Sequence, residues 1–101
     1  MEIKTGSISF GSFEGSGPRT SSSVVIFTSG ISQAVAIMTG FNAAFSPSDG
    51  DHHLGNLDIR INTDAPSGNT VNVNVTFGLR DWSGNWDDKY EGQIFFAVIG
   101  E

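Results

Sequence analysis

The run Gln93 to Ile99, QIFFAVI, limits what this chain can become more than any other stretch. Strand side chains alternate faces, so Ile94, Phe96 and Val98 would line one side while Phe95, Ala97 and Ile99 line the other. A strand with one wet face alternates apolar with polar residues instead. In a chain of 101 residues only one of these two faces can look into the chain's own core. The other must meet a helix, a second sheet or another subunit. No segment reads as a helix placed to cover it, so contact with further copies of the chain is the favoured reading.

The remaining apolar pattern is that of strands. Residues 2–10 carry Ile3, Ile8 and Phe10, whose change of phase near Gly6 predicts a bulge in a first strand. Residues 11–22, GSFEGSGPRTSS, read as a loop, and Val24 to Thr28 as a second strand. From Gln33 to Phe45 a helix competes with a strand. Val35, Ile37, Thr39, Phe41, Ala43 and Phe45 keep period two, and Gly40 would cost a helix interior about 1 kcal/mol, so a strand is expected. SPSDGD (46–51) is a turn cluster.

Two further strands have cleaner patterns. Leu57, Ile59, Ile61 and Thr63 point inward against Asn56, Asp58, Arg60 and Asn62. After the turn DAPSGN (64–69), Val71, Val73, Val75, Phe77 and Leu79 point inward against Asn72, Asn74, Thr76 and Gly78. The sum is an all-β chain: a six-stranded antiparallel β-sandwich or barrel in a single domain over residues 1–101.

Composition narrows the function. A net charge of −6 with five scattered Lys and Arg argues against nucleic acid, which needs a basic patch. There is no cysteine, hence no disulfide. The longest apolar run, IFFAVI, is far too short for a membrane span. MEIKTGSISF has neither a basic n-region nor an apolar h-region, so a cytoplasmic chain, or one released without a classical signal, is expected.

Catalysis is not expected. No GxSxG elbow or GxxxxGK[ST] loop occurs, and the pairs Asp49/Asp51 and Asp87/Asp88 read as turn-forming aspartates before they read as a hydrolase pair. His52 and His53 are adjacent, so on a strand they face opposite ways and do not converge on zinc. Calcium is the candidate cation, because Asp49, Asp51, Asp81, Asp87, Asp88 and Asn85 offer oxygen ligands, with Asp87 and Asp88 as its candidate holders.

The segment Asp81 to Tyr90, DWSGNWDDKY, is the candidate binding loop. Sugars stack their C–H faces on Trp or Tyr while Asp, Asn and Arg bond to hydroxyls. Trp82, Trp86 and Tyr90 are the candidate stacking residues, and Arg60 and Asp81 the candidate polar ones.

Several of these features together resemble the H-type lectins, the snail-agglutinin and discoidin C-terminal group. They are the opening G-x-I-x-F-G (Gly6, Ile8, Phe10, Gly11), a V-x-F strand (Val25, Phe27), a strand passing through Gly40 and Phe41, and Tyr90 followed by EGQIFFAVIG. The resemblance implies a six-stranded antiparallel sandwich assembled as a homotrimer, or as a hexamer of paired trimers. It implies binding of galactose or N-acetylgalactosamine at clefts between protomers. By position it makes Tyr90 the sugar-site tyrosine, Trp86 the stand-in for the family's tryptophan, and Arg60 the arginine lent by a neighbouring protomer. The chain departs from the pattern in its Trp–Tyr spacing, in lacking an acidic residue in GSGPRTSS, and in lacking the disulfide. The alternative is a trimerising structural or adhesion module of a phage or secreted particle, with the same oligomer and no sugar site.

Overall fold

The computed structural model describes residues 1–14, 17–46 and 53–101. They form six strands: β1 (Glu2–Glu14), β2 (Arg19–Ile26), β3 (Ala34–Phe45), β4 (Leu54–Thr63), β5 (Thr70–Asp81) and β6 (Lys89–Gly100). No helix occurs among the described residues, and so none that is long and apolar enough to cross a membrane. The strands make two three-stranded antiparallel sheets, ordered β1-β6-β3 and β2-β5-β4.

Each sheet is organised around its central strand. In β5 the expected alternation holds, with Val71, Val73, Val75 and Phe77 fully buried and Leu79 nearly so. In β6, Ile94, Phe96 and Val98 are buried on the inner face. These residues form one core with Ile8, Phe10, Phe27 and Tyr90, against which Ile59 and Ile61 of β4 and Ala34, Ala36 and Phe45 of β3 also pack. Burying so many Val, Ile and Phe side chains, at about 1.5–3 kcal/mol each, is what sets the pairing register, since a one-residue slip would turn them all to water.

Four expectations are corrected. No bulge interrupts β1 at Gly6; Glu2 to Phe10 pair with β6 in unbroken register, and the irregularity falls between Phe10 and Phe13. Ile3 is out of phase with Ile8 because it faces outward, and Gly6 is small because a Cβ there would lie 2.8 Å from the Phe96 ring. Part of the supposed loop 11–22 is paired strand: β1 continues to Glu14, and β2 pairs with β5 from Arg19 onward. The period-two run of β3 breaks at a bulge between Met38 and Gly40, so Val35 and Ile37 face out while Ala43 and Phe45 face in. Finally, β6 starts at Lys89, which moves Tyr90 from the candidate loop into a strand.

Candidate functional site

The β5–β6 connection is built from its first residue. Asp81, at the end of β5, is 8% exposed, and its Oδ1 accepts hydrogen bonds from the Ser83 backbone N–H at 3.0 Å and from the Ser83 hydroxyl. This is the local bonding by which a short acidic side chain makes a turn. Gly84 follows with φ +89°, a left-handed conformation that a side chain would strain. The backbone N–H of Trp82 donates to the His53 carbonyl at 3.1 Å. With its backbone tied on both sides, Trp82 turns its indole outward, 74% exposed.

Trp86 comes back onto the body of the protein. It is half-buried and packs against the core, and a Cβ on Gly78 would sit 2.9 Å from its ring and 3.0 Å from Pro18. The Arg80 guanidinium lies 5.8 Å from its ring centre, a cation–π distance. Beneath it, 6.3 Å away, is Tyr90. Tyr90 has no exposed surface. Its hydroxyl donates to the carbonyls of Gly17 at 3.1 Å and Phe77 at 3.3 Å, and its ring meets Phe77 edge-on at 5.4 Å.

Arg19 closes the other side of that ring. Its guanidinium lies 4.5 Å from the Tyr90 ring centre and 5.6 Å from that of Phe10, and donates to the carbonyls of Gly11 (2.8 Å) and Tyr90 (2.9 Å). Nothing in the sequence pointed to Arg19, because it lies in a Gly- and Ser-rich stretch with no apolar period.

Of the candidate residues, then, Asp81, Trp82, Trp86 and Tyr90 share one end of the molecule, with only Trp82 widely open. Arg60 stands apart. It lies opposite Thr76 on the outer face of β4, about 13 Å of strand from the level of Arg80, and forms a bidentate pair with Asp58 at 3.0 and 3.1 Å. Asp87 is exposed and Asp88 half-buried, and among the described residues no three His, Asp or Glu side chains gather as a metal site. Asp49, Asp51 and His52 lie outside the described residues, while His53 is exposed.

The two outer sheet faces differ in chemistry. On β2-β5-β4 the outward rows are Ser22–Asn74–Asn62 and Thr20–Thr76–Arg60. Asn74 accepts from Ser22 (2.7 Å) and Asn72 (3.0 Å) and donates to Asn62 (3.1 Å) and Asp64 (3.0 Å). On β1-β6-β3 the outward rows are Ile3–Ile99–Val35, Thr5–Ala97–Ile37, Ser7–Phe95–Gly40 and Ser9–Gln93–Asn42. Comparisons of the chain with protein-family models, with curated proteins and with solved structures return no match.

Proposed function

We propose that this chain is a non-catalytic carbohydrate-binding module of H-type-lectin-like build, its two sheets packed as a β-sandwich and its copies assembled as a homotrimer or a hexamer of paired trimers. The observation that carries the reading is the Trp82 indole, held open to solvent on a loop whose backbone is fastened by Asp81 and His53. An exposed aromatic face is what a sugar ring of the galactose or N-acetylgalactosamine class stacks upon. Asp81 sets the turn that carries Trp82, while further along the same connection Trp86 packs between Arg80 and the buried Tyr90, which does not meet the sugar. Arg60 stays outside this platform, paired with Asp58 on the outer face of β4. Multiple sites on one assembly raise a weak single-site affinity by orders of magnitude.

A glycan array read with the wild type and Trp82→Ala, each with calcium and again with chelator, tests this. Saturable signals that vanish in Trp82→Ala are expected, and loss with chelator would assign a cation to Asp87 and Asp88. Equal signals for the two proteins, or none, sink the reading. The second reading, a purely structural assembly module, draws on the apolar outer face of β1-β6-β3 and predicts an oligomer with a silent array.

A further inference from the structure

We infer that the ligand of the Trp82 platform is a galactose-class glycoside with an apolar aglycone, an alkyl or acyl chain that lies in a groove beside the loop; the inference deepens the proposed sugar site and rests on that reading. The groove runs between β3 of one sheet and β4 of the other, with a volume of about 300 Å³. Phe41, Ala43, Phe45, Leu54, Leu57 and Leu79 line it, and no lining side chain carries a polar atom. The opening belongs to one side of the molecule. Ile8, Ile94 and Phe41 share one row of the β1-β6-β3 sheet, yet Ile8 and Ile94 are buried while Phe41 is 45% exposed. In the other sheet Leu79 is buried, and its partner Leu57 is 37% exposed. Both inward rows therefore end in apolar side chains that water reaches, which is the kind of surface a bound apolar group covers.

The occupant follows from where the groove opens, from its size and from its chemistry. Leu54 stands at its mouth, 64% exposed and opposite Asp81 across the β4–β5 ladder. Both chain neighbours of Leu54 meet Trp82. The His53 carbonyl accepts the Trp82 backbone N–H at 3.1 Å, and a Cβ added to Gly55 would lie 2.7 Å from the Trp82 Cα. The groove thus begins one residue from main chain that touches the carrier of the exposed indole. Its volume lies at the lower end of small-ligand pockets, enough for a chain of methylenes and too little for a folded partner. Sugar hydroxyls find no donor or acceptor among its side chains, so the ring stays at Trp82 and the apolar part of the ligand enters the groove. Moving a chain from water into such a groove raises affinity about fourfold for each methylene buried.

Titration calorimetry with methyl β-galactoside, octyl β-galactoside and octyl tetraethylene glycol ether, all below their micelle concentrations, tests this. The proteins are the wild type, Phe41→Ser, Leu54→Ser and Trp82→Ala, with circular dichroism to check folding. The wild type is expected to bind the octyl galactoside at least about tenfold tighter than the methyl one. In Phe41→Ser and Leu54→Ser the ratio of the two affinities is expected to fall toward one, while Trp82→Ala weakens both galactosides. Equal wild-type affinities for the two galactosides, or folded groove variants that both keep the wild-type ratio, would overturn the inference and leave the sugar site standing. So would an octyl ether that binds as tightly as the octyl galactoside, because the groove would then take alkyl chains without a sugar. A wild type that binds neither galactoside removes the sugar reading and this inference together.

Discussion

The two sheets turn different outer faces to their surroundings, although both present flat, regular rows. On β2-β5-β4 the side chains of Ser22, Asn62, Asp64, Asn72 and Asn74 bond to one another and Arg60 pairs with Asp58, so polar groups are satisfied within the chain. On β1-β6-β3, the aliphatic rows and Phe95 leave apolar area that none of the described residues covers. Water solvates the first face at little cost, whereas exposing the second costs about 25 cal/mol per Å². The lesson is that a strand apolar on both sides, such as β6, spends one face on its own core and leaves a second for the assembly we propose.

The largest change in stability is expected where the two faces are joined. Tyr90, from the centre of one sheet, donates to the Phe77 carbonyl at the centre of the other and to Gly17. Tyr90→Phe removes both bonds and is expected to destabilise by about 1–2 kcal/mol, read from urea unfolding. An unchanged midpoint would mean that packing with Arg19 and Phe77, and not the hydroxyl, holds the sheets together.

A second substitution erases the contrast instead of the joint. Asn74→Leu removes the hub of the polar network and lengthens the apolar area next to Val24 and Ile26, which are 60% and 64% exposed. Higher-order association at unchanged fold is expected in light scattering, with a stability loss within about 1 kcal/mol. If the particle size stays at the wild-type value, the polar network is not what keeps that face solvated.

The smallest effect belongs to the start of the edge strand β1. The Thr28 hydroxyl (2.7 Å) and backbone N–H (3.0 Å) bond to the Glu2 carboxylate, and with Lys4 nearby they lower its pKa from 4.5 to about 2. A carboxyl whose folded pKa lies below its unfolded one contributes fully above the unfolded value, and that contribution fades as pH falls toward the folded one. Between pH 4.5 and about 2 the wild type should therefore lose stability more steeply than Glu2→Gln, with the two curves parallel at neutral pH. Parallel curves throughout would mean that the bonds to Thr28 do not persist in solution.

Much of this organisation can be read from the residues. The alternation of Val71 to Leu79 is legible because β5 has one wet and one buried side, whereas in the edge strand β4 only Ile59 and Ile61 pack against the core and Leu57, read as inward, is 37% exposed. The two-sided apolar character of β6 is equally plain. Arg19 to Ser22 hid as a loop because the partner strand β5, not local propensity, recruits them; RTSS has no apolar residue of its own. The bulge at Met38–Gly40 is set by pairing with β6 and leaves no local mark. At the candidate site, the open Trp82 fits a Gly- and Ser-containing loop, but the burial of Tyr90 depends on Arg19, seventy-one positions away. No window of neighbouring residues carries that information.

The difference between the two faces can be measured directly, because the chain has no cysteine and a single introduced thiol reports one position. Thr5→Cys sits in an apolar row of β1-β6-β3, and Ser22→Cys in a polar row of β2-β5-β4, both at exposed positions of the single chain. Maleimide labelling at tens of micromolar should find the Thr5→Cys thiol protected several-fold, with protection lost on dilution to nanomolar, while the Ser22→Cys thiol reacts at one rate throughout. Equal, concentration-independent labelling of the two thiols would contradict the account.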